Sequence, residues 1–253
     1  MSNNGKLALV INTVYKNRDL WKMFFDKLEE HCDLSVFTKK YVFVDKANED
    51  IPEGYETLFY TSNTYRDQFS SCIDKVEEEF CLYISEDYVL YDKVDTKALT
   101  EFADVMGRRQ DVLYARMHKG SVVDAMSIPF GGHKDLYIVD KTVPYFYSQI
   151  AAIWKTRDLE TIHKQAPNAH IGNIDGMNSF EWKANGTALE FNTFGLYAYR
   201  GEKKRGLYHY DSAVFPYIAT ALVKGRWNMS EYRQELTPLI EKYGIDVSIR
   251  GEC

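Results

Sequence analysis

The sequence reads Cys81-Leu82-Tyr83-Ile84-Ser85-Glu86-Asp87, an apolar run that ends abruptly in two adjacent carboxylates. A short apolar run bounded by such polar residues predicts a buried strand. Ligands of open α/β sheets bind at the carboxyl ends of the strands, so the carboxylates fall where a site is expected. A hard divalent cation, bound by carboxylate and phosphate oxygens, would compensate their charge. The alternative is a solvated acidic turn.

Further short apolar runs alternate with amphipathic helical ones over the first 115 residues, which indicates an α/β fold with crossover helices. The other predicted strands are Leu7 to Ile11, Tyr41 to Val44, Thr57 to Tyr60 and Val112 to Ala115. Two helix faces are predicted by apolar residues at helical spacing, namely Trp21, Phe24, Phe25 and Leu28, and then Phe69, Cys72, Ile73 and Val76. Thr64 with Asp67 predicts a helix cap, as does Asp95 or Thr96 for a third helix.

The regular alternation stops after Ala115. We expect loops with short strands over 116–147, a helix over 157–165, an irregular segment to Asn185 and an aromatic strand from Leu189 to Tyr199. The tail predicts a helix that begins near Ser230, a second start at Thr237 and Pro238, and a stop at Gly244. No linker divides the sequence, so we expect one domain over 1–253, with the regular alternation in its first half (1–115) and the mixed pattern in its second half (116–253).

The composition is that of a folded soluble protein, with 45% hydrophobic and 27% charged residues among 253. The net charge of −6 argues against nucleic acid as a partner, because a broad basic face is missing. No signal peptide and no transmembrane segment are recognisable, so we expect a cytoplasmic protein. The four cysteines lack the spacing of zinc or redox motifs, which predicts free thiols.

Polar residues follow several predicted strands and are candidates for binding a nucleotide donor. They are Thr13, Tyr15 and Arg18 after the first strand, Asp45 after the second, Arg66 after the third, and Ser85 and Glu86 after the fourth. Lys203 and Arg205 lie on the glycine-bounded segment from Gly201 to Gly206, which could close over the donor phosphates. A solvated basic hairpin tip is the alternative for this segment.

Several motifs together resemble GT-A glycosyltransferases of bacterial and viral polysaccharide assembly. They occur in that family's order, over about two thirds of the chain by rough span. They are Tyr65-Arg66-Asp67-Gln68-Phe69, the run from Cys81 to Leu90 with Val94-Asp95, Ser148-Gln149-Ile150-Ala151-Ala152-Ile153-Trp154-Lys155, and Asn178-Ser179-Phe180-Glu181-Trp182. The resemblance implies a Rossmann-like GT-A fold with a mostly parallel central sheet flanked by helices and a smaller mixed carboxyl-terminal acceptor part. It also implies transfer from a UDP-, GDP- or dTDP-linked sugar to a glycan or glycoconjugate acceptor, with a nucleotide-sugar-binding half over 1–115 and an acceptor-binding and catalytic half over 116–253.

The same resemblance implies a bound Mn²⁺ or Mg²⁺, with Asp87 and His209 as its ligands. The family has Asp-Asp or Asp-x-Asp where this chain has Ser85-Glu86-Asp87, so Asp87 is the expected direct ligand, with Ser85 or Glu86 near the ribose. Glu181 is the expected catalytic base of inverting transfer, since an acceptor hydroxyl must lose a proton as it attacks. A retaining enzyme would need no such base, and a surface glutamate beside a core aromatic residue is the alternative.

Aromatic residues make up 15% of the chain, a surplus suited to sugar binding as well as to core packing. The candidates for acceptor contact are Tyr145, Tyr147, Gln149, Trp154 and Trp182. Two other functions remain open. A sugar-phosphate nucleotidyltransferase would need a glycine-rich phosphate loop after the first strand, and Val10 to Arg18 contains no glycine. A carbohydrate-binding protein of the same fold without catalysis is the second alternative.

Overall fold

The computed structural model describes residues 6–120, 123–124, 128–168 and 179–253, and within them eight strands form one sheet. The strands are β1 (Leu7–Asn12), β2 (Lys40–Val44), β3 (Glu56–Phe59), β4 (Phe80–Ser85), β5 (Val112–Arg116), β6 (Leu136–Val139), β7 (Ala152–Lys155) and β8 (Phe194–Ala198). Their order is β3-β2-β1-β4-β7-β5-β8-β6, and only β7 and β6 run against the others. The predicted α/β class with a mostly parallel sheet is confirmed.

Helices cover both faces of this sheet. They are α1 (Trp21–His31), α2 (Tyr65–Ile73), α3 (Thr96–Arg108), α4 (Thr156–Gln165), α5 (Phe180–Glu190) and α6 (Met229–Tyr243). Successive side chains of a strand point to opposite faces. In β1, Leu9 packs with α1 and α3 on one face, whereas Val10 packs with α2, α4 and α5 on the other. The two faces therefore bury separate cores, and both predicted amphipathic helices lie on the sheet.

The predicted helix caps are present. The Thr64 side chain accepts a hydrogen bond from the backbone N–H of Asp67 at 3.3 Å and donates to its carboxylate at 2.8 Å. Asp95 accepts from the N–H of Ala98 at 3.0 Å and caps α3. These bonds satisfy amide groups that a helix leaves unpaired at its start.

Two predictions for the second half are wrong. Residues from Phe180 to Glu190 form α5, not an irregular segment followed by the start of a strand, and β8 begins only at Phe194. Ser179 caps this helix, but its apolar residues show little one-sided pattern. In the tail, α6 is one helical run with a kink at Tyr232, and Pro238 lies inside it instead of opening a second helix. Gly244 ends α6 in the left-handed conformation, as predicted (φ 61°).

Two short hairpins and the carboxyl-terminal residues complete the fold. The hairpins are β9 (Lys204–Arg205) with β10 (His209–Tyr210), and β11 (Leu222–Val223) with β12 (Arg226–Trp227). Trp227 is fully buried in a third core that joins α6 to the start of α1. All four cysteines are free thiols, as predicted, and Cys253 alone is exposed. Among the described helices, none has the length and apolar character to cross a bilayer.

Candidate active site

A cavity of about 650 Å³ opens at the carboxyl ends of β1 and β4. Its wall contains five of the residues singled out from the sequence: Thr13, Ser85, Glu86, Asp87 and Gln149. Strands β1 and β4 are neighbours in the sheet, with Asn12 opposite Ser85, so the residues that follow them meet at the same edge. The cavity is thus where the strand-end rule places a ligand.

Glu86 and Asp87 form an acidic pair on this wall. Glu86 is buried and accepts a hydrogen bond from the Asn17 amide, while Asp87 is half-buried and faces the cavity. Burial and then the charge of Glu86 raise the pKa of Asp87 to about 8. Burial also raises the pKa of Glu86, although the hydrogen bond from Asn17 opposes this change. At neutral pH the pair is therefore more stable with one bound proton, or with a cation nearby, than with two bare negative charges.

The raised pKa of Asp87 gives a pH-dependent prediction for stability. Between the unfolded pKa of 3.8 and the folded pKa of about 8, the folded protein binds the additional proton. The contribution of Asp87 to stability is consequently present in acid and is lost as the pH rises through this range. We expect Asp87→Asn to raise the melting temperature, with a gain that grows from pH 5 to pH 8. Melting curves without divalent cations test this, and a gain that stays flat with pH would contradict it.

The loop after β1 places several donor candidates side by side. Thr13 accepts from the Trp21 indole at 2.7 Å through its hydroxyl, and its carbonyl accepts from Tyr60 at 2.7 Å. The backbone N–H of Tyr15 donates to Asp45 at 2.7 Å. The Tyr15 ring lies 4.6 Å from Arg18 and 4.6 Å from the amine of Lys46. Thr13, Tyr15, Arg18 and Asp45 thus form one neighbourhood beside the cavity, as strand-end reasoning predicts.

Comparisons with known proteins give fold-level likeness only. Solved structures with a similar fold include S. aureus TarS 1–349, at 16% identity and a TM-score of 0.47, with 82% of this chain and 60% of that chain covered. The same protein in complex with UDP matches at 17% identity and a TM-score of 0.42, covering 81% and 60%. Bifunctional IspDF from Campylobacter jejuni matches at 12% identity and a TM-score of 0.42, covering 83% and 52%.

This chain spans less than two thirds of the length of each of these three structures. No known protein-family profile matches the chain, and no curated protein is similar to it in sequence. At these identities and TM-scores the likeness extends to the fold and not to function.

Glu181 does not line the cavity itself but is bonded to Gln149, which does. It stands in the first turn of α5, where the helix N-terminus favours a negative charge. Its Oε1 accepts two hydrogen bonds, from the Ser148 hydroxyl at 2.7 Å and from the backbone N–H of Gln149 at 2.8 Å. Gln149 lines the cavity, and its carbonyl accepts from the Tyr88 hydroxyl. The carboxylate therefore fixes the segment beside the acidic pair through one oxygen.

The candidates for acceptor contact differ in their exposure to solvent. Trp182 is 37% exposed and meets the Tyr145 ring edge-on at 5.7 Å. Tyr147 and Trp154 are instead buried, with Tyr147 bonded to His163 at 2.8 Å and Trp154 packed on Tyr114. This corrects the prediction for both: in this structure Tyr147 and Trp154 serve the core and present no face to an acceptor.

Four further candidates lie away from the cavity wall. Arg66 pairs with its neighbour Asp67 at 2.8 Å, and Lys203 is exposed on the β9–β10 hairpin. Arg205 is held by Asp211 and Glu235 and does not line the cavity.

His209 packs against His118, with ring centres 5.3 Å apart, and burial lowers the pKa of His209 to about 4. It does not line the cavity with Asp87. In the described ranges, no group of three or more His, Cys, Asp or Glu side chains is placed to hold a metal ion. Asn178 of the last resemblance motif lies outside the described residues.

Sequence reasoning missed further residues on the wall, some beside β1 and β4 and others from distant parts of the chain. They are Asn12, Val14, Tyr60, Tyr65, Gln68, Tyr83, Tyr88, Leu222, Lys224, Gly225 and Arg250. Tyr65 and Tyr83 share a hydrogen bond of 2.8 Å, and Asn12 donates to Tyr65 at 3.3 Å. Phenol and amide groups on one wall suit a ligand with many hydroxyl groups.

Proposed function

We propose that the chain is a glycosyltransferase that moves a sugar from a nucleoside-diphosphate donor to a hydroxyl group of a glycan or other acceptor. The observation that carries the proposal is the acidic pair Glu86 and Asp87 on the wall of a cavity at the ends of β1 and β4. A cavity of about 650 Å³ is large enough for a nucleotide-sized ligand. Its polar and aromatic wall offers partners for ribose and sugar hydroxyl groups.

A divalent cation, Mn²⁺ or Mg²⁺, belongs to this proposal. The fit rests on the acidic pair, because two adjacent carboxylates with raised pKa values are stabilised by a nearby cation. Magnesium-type sites often use one or two carboxylates and complete their coordination with phosphate oxygens and water. A bound cation would act as a Lewis acid toward the leaving diphosphate. Asp87 is its proposed ligand, and Glu86 holds Asn17 in place.

The transfer step exchanges one bond at the anomeric carbon. The bond to the phosphate oxygen breaks with its electron pair on that oxygen, and the acceptor oxygen forms the new bond. We assign Glu181 as the base that takes the acceptor proton in an inverting reaction. Its Oε1 accepts from Ser148 and Gln149, and within the described residues Oε2 makes no hydrogen bond, so we assign the proton to Oε2. Trp182 follows Glu181 in the chain and contacts Tyr145, and we assign this pair of rings to stacking on an acceptor sugar.

The Glu181→Gln variant distinguishes two roles of Glu181, the transfer of a proton and the positioning of the segment with Ser148 and Gln149. A glutamine carbonyl accepts the same two hydrogen bonds but cannot take a proton, so we expect kcat to fall about 100-fold or more while the KM for the donor stays unchanged. Steady-state kinetics with Glu181→Gln and Glu181→Ala measure this. Wild-type turnover in Glu181→Gln with a loss only in Glu181→Ala would show that Glu181 positions the segment and is not the base.

The proposed function is tested by a screen of UDP-, GDP- and dTDP-sugars with and without Mn²⁺. We expect release of the nucleoside diphosphate from one donor series, faster with Mn²⁺. Binding of a nucleotide without any release would instead favour the non-catalytic alternative. A nucleotidyltransferase would release pyrophosphate from a nucleoside triphosphate and a sugar phosphate, and the loop after β1 lacks the glycines for that chemistry.

A further inference from the structure

Two cations stand on the wall of the cavity that holds the acidic pair. They are Lys224 and Arg250, which lie far from Glu86 and Asp87 in sequence. Both residues also line a neighbouring cavity of about 610 Å³, so they stand where the two cavities meet. Lysine and arginine side chains are the usual protein partners of phosphate oxygens.

The Arg250 guanidinium is held in a fixed orientation. Its Nε and Nη2 donate to the Asp19 carboxylate at 2.8 and 2.5 Å, and Nη2 also donates to the Asn17 side chain at 3.1 Å. Asn17 in turn donates to Glu86. As far as the chain is described, Nη1 makes no hydrogen bond, so two of the five donors of this side chain are available to a ligand.

Lys224 occupies an unfavourable backbone conformation. It begins the two-residue turn between β11 and β12, with φ of 52°, and Gly225 follows with φ of 78°. Two positive φ values in a hairpin turn indicate type I′, whose first position favours asparagine, aspartate or glycine. A long side chain there costs strain, and such strain is concentrated at functional sites. The strained turn brings a lysine to the cavity.

Both cations belong to one structural unit, formed by the β11–β12 hairpin and the carboxyl-terminal segment from Arg250 to Cys253. The backbone of Trp227 in β12 donates to Gly251 at 3.0 Å and accepts from Cys253 at 2.9 Å. The hairpin and the segment 251–253 are thus paired side by side, with the Trp227 ring buried beneath them. This pairing fixes Lys224 relative to Arg250.

We propose that Lys224 and Arg250 bind phosphate oxygens of the donor and stabilise the charge of the departing nucleoside diphosphate. This inference rests on the proposed function. Two carboxylates on the same wall repel a diphosphate, and the two positive side chains offset that repulsion. They would act together with a bound cation. We place them at the end of the site that holds the diphosphate, and not at the end that holds the nucleobase.

Calorimetric titration with uridine, UMP and UDP tests the inference, with the guanosine and thymidine series run in parallel. We expect Lys224→Gly and Arg250→Gln each to weaken UDP binding about tenfold and to leave uridine binding within about twofold, because uridine carries no phosphate for these side chains to bind. Arg226→Gln is the matched control, since Arg226 is an exposed cation of the same hairpin that does not line the cavity. It should bind UDP like the wild type.

Lys224→Gly also controls for folding. Glycine takes the positive φ without strain, so the melting temperature should stay or rise while UDP affinity falls. Unchanged diphosphate affinity in both variants, in a wild-type protein that transfers sugar, would overturn the role of the two cations and leave the proposed function standing. An equal loss for uridine and UDP would overturn it as well. A wild-type protein that binds no diphosphate of any series would remove the proposed function together with this inference.

Discussion

Asp87→Asn is expected to lower the kcat of sugar transfer by about two orders of magnitude or more, the effect that loss of one group stabilising the charge of a transition state produces. Asp87 faces the cavity beside Glu86, and asparagine keeps its shape but cannot lose a proton to bind a divalent cation as a carboxylate. The Mn²⁺ concentration for half-maximal activity should rise in parallel. Initial rates over a series of Mn²⁺ concentrations measure both quantities.

Asp92→Asn is the control for this experiment, since Asp92 is an exposed carboxylate of the same connection that does not line the cavity. Its kinetics should match those of the wild type. Glu86→Gln should lose less activity than Asp87→Asn, because Glu86 is buried and bonded to Asn17. Turnover and Mn²⁺ response unchanged in Asp87→Asn would rule out the metal role of this residue.

Gly195→Ala is expected to destabilise the folded protein by about 2 kcal/mol or more, through overpacking of the core. Gly195 lies opposite Tyr114 where β5 pairs with β8, and an added Cβ would come within 2.2 Å of the Tyr114 ring. That ring is fully buried and its hydroxyl donates to the Phe146 carbonyl, so it has little room to move. Chemical denaturation measures the change in the free energy of unfolding.

Gly186→Ala is the matched control. Gly186 lies within α5, and no atom stands within 4 Å of the Cβ that would be added. Alanine should therefore stabilise the helix by about 0.5–1 kcal/mol relative to glycine. A Gly195→Ala protein as stable as the wild type would mean that Tyr114 does not pack on this glycine.

The strands of the first half were predictable to within one residue at each end. Buried parallel strands read as continuous apolar runs, and Leu7–Asn12 or Phe80–Ser85 needs no long-range information to be recognised. The insertion of β7 between β4 and β5 was not predictable, because pairing partners are set by contacts between distant residues. Helix α5 escaped prediction since Asn185 and Gly186 interrupt a weakly amphipathic segment.

The candidate site was predictable only where it follows the strand-end rule. Thr13 and Asp87 come directly after β1 and β4, so position in the chain indicates position in the cavity. Lys224 and Arg250 reach the same wall from a hairpin and from the carboxyl-terminal segment, which no strand pattern connects to the acidic pair. The local signal there was Gly225 after the apolar residues Leu222 and Val223, which indicates a turn and carries no chemistry.

The thiols of this protein differ sharply in reactivity. Burial raises the pKa of Cys32 and of Cys81 to about 12 and also raises that of Cys72, so these three resist alkylation at neutral pH. Cys253 is exposed, and its backbone pairs with β12. It therefore belongs to the same structural unit as Lys224 and Arg250, which line the cavity. A maleimide dye will therefore attach at Cys253 of the unmodified sequence. Its fluorescence then tests the proposed nucleotide binding directly, as a change on addition of UDP, GDP or dTDP.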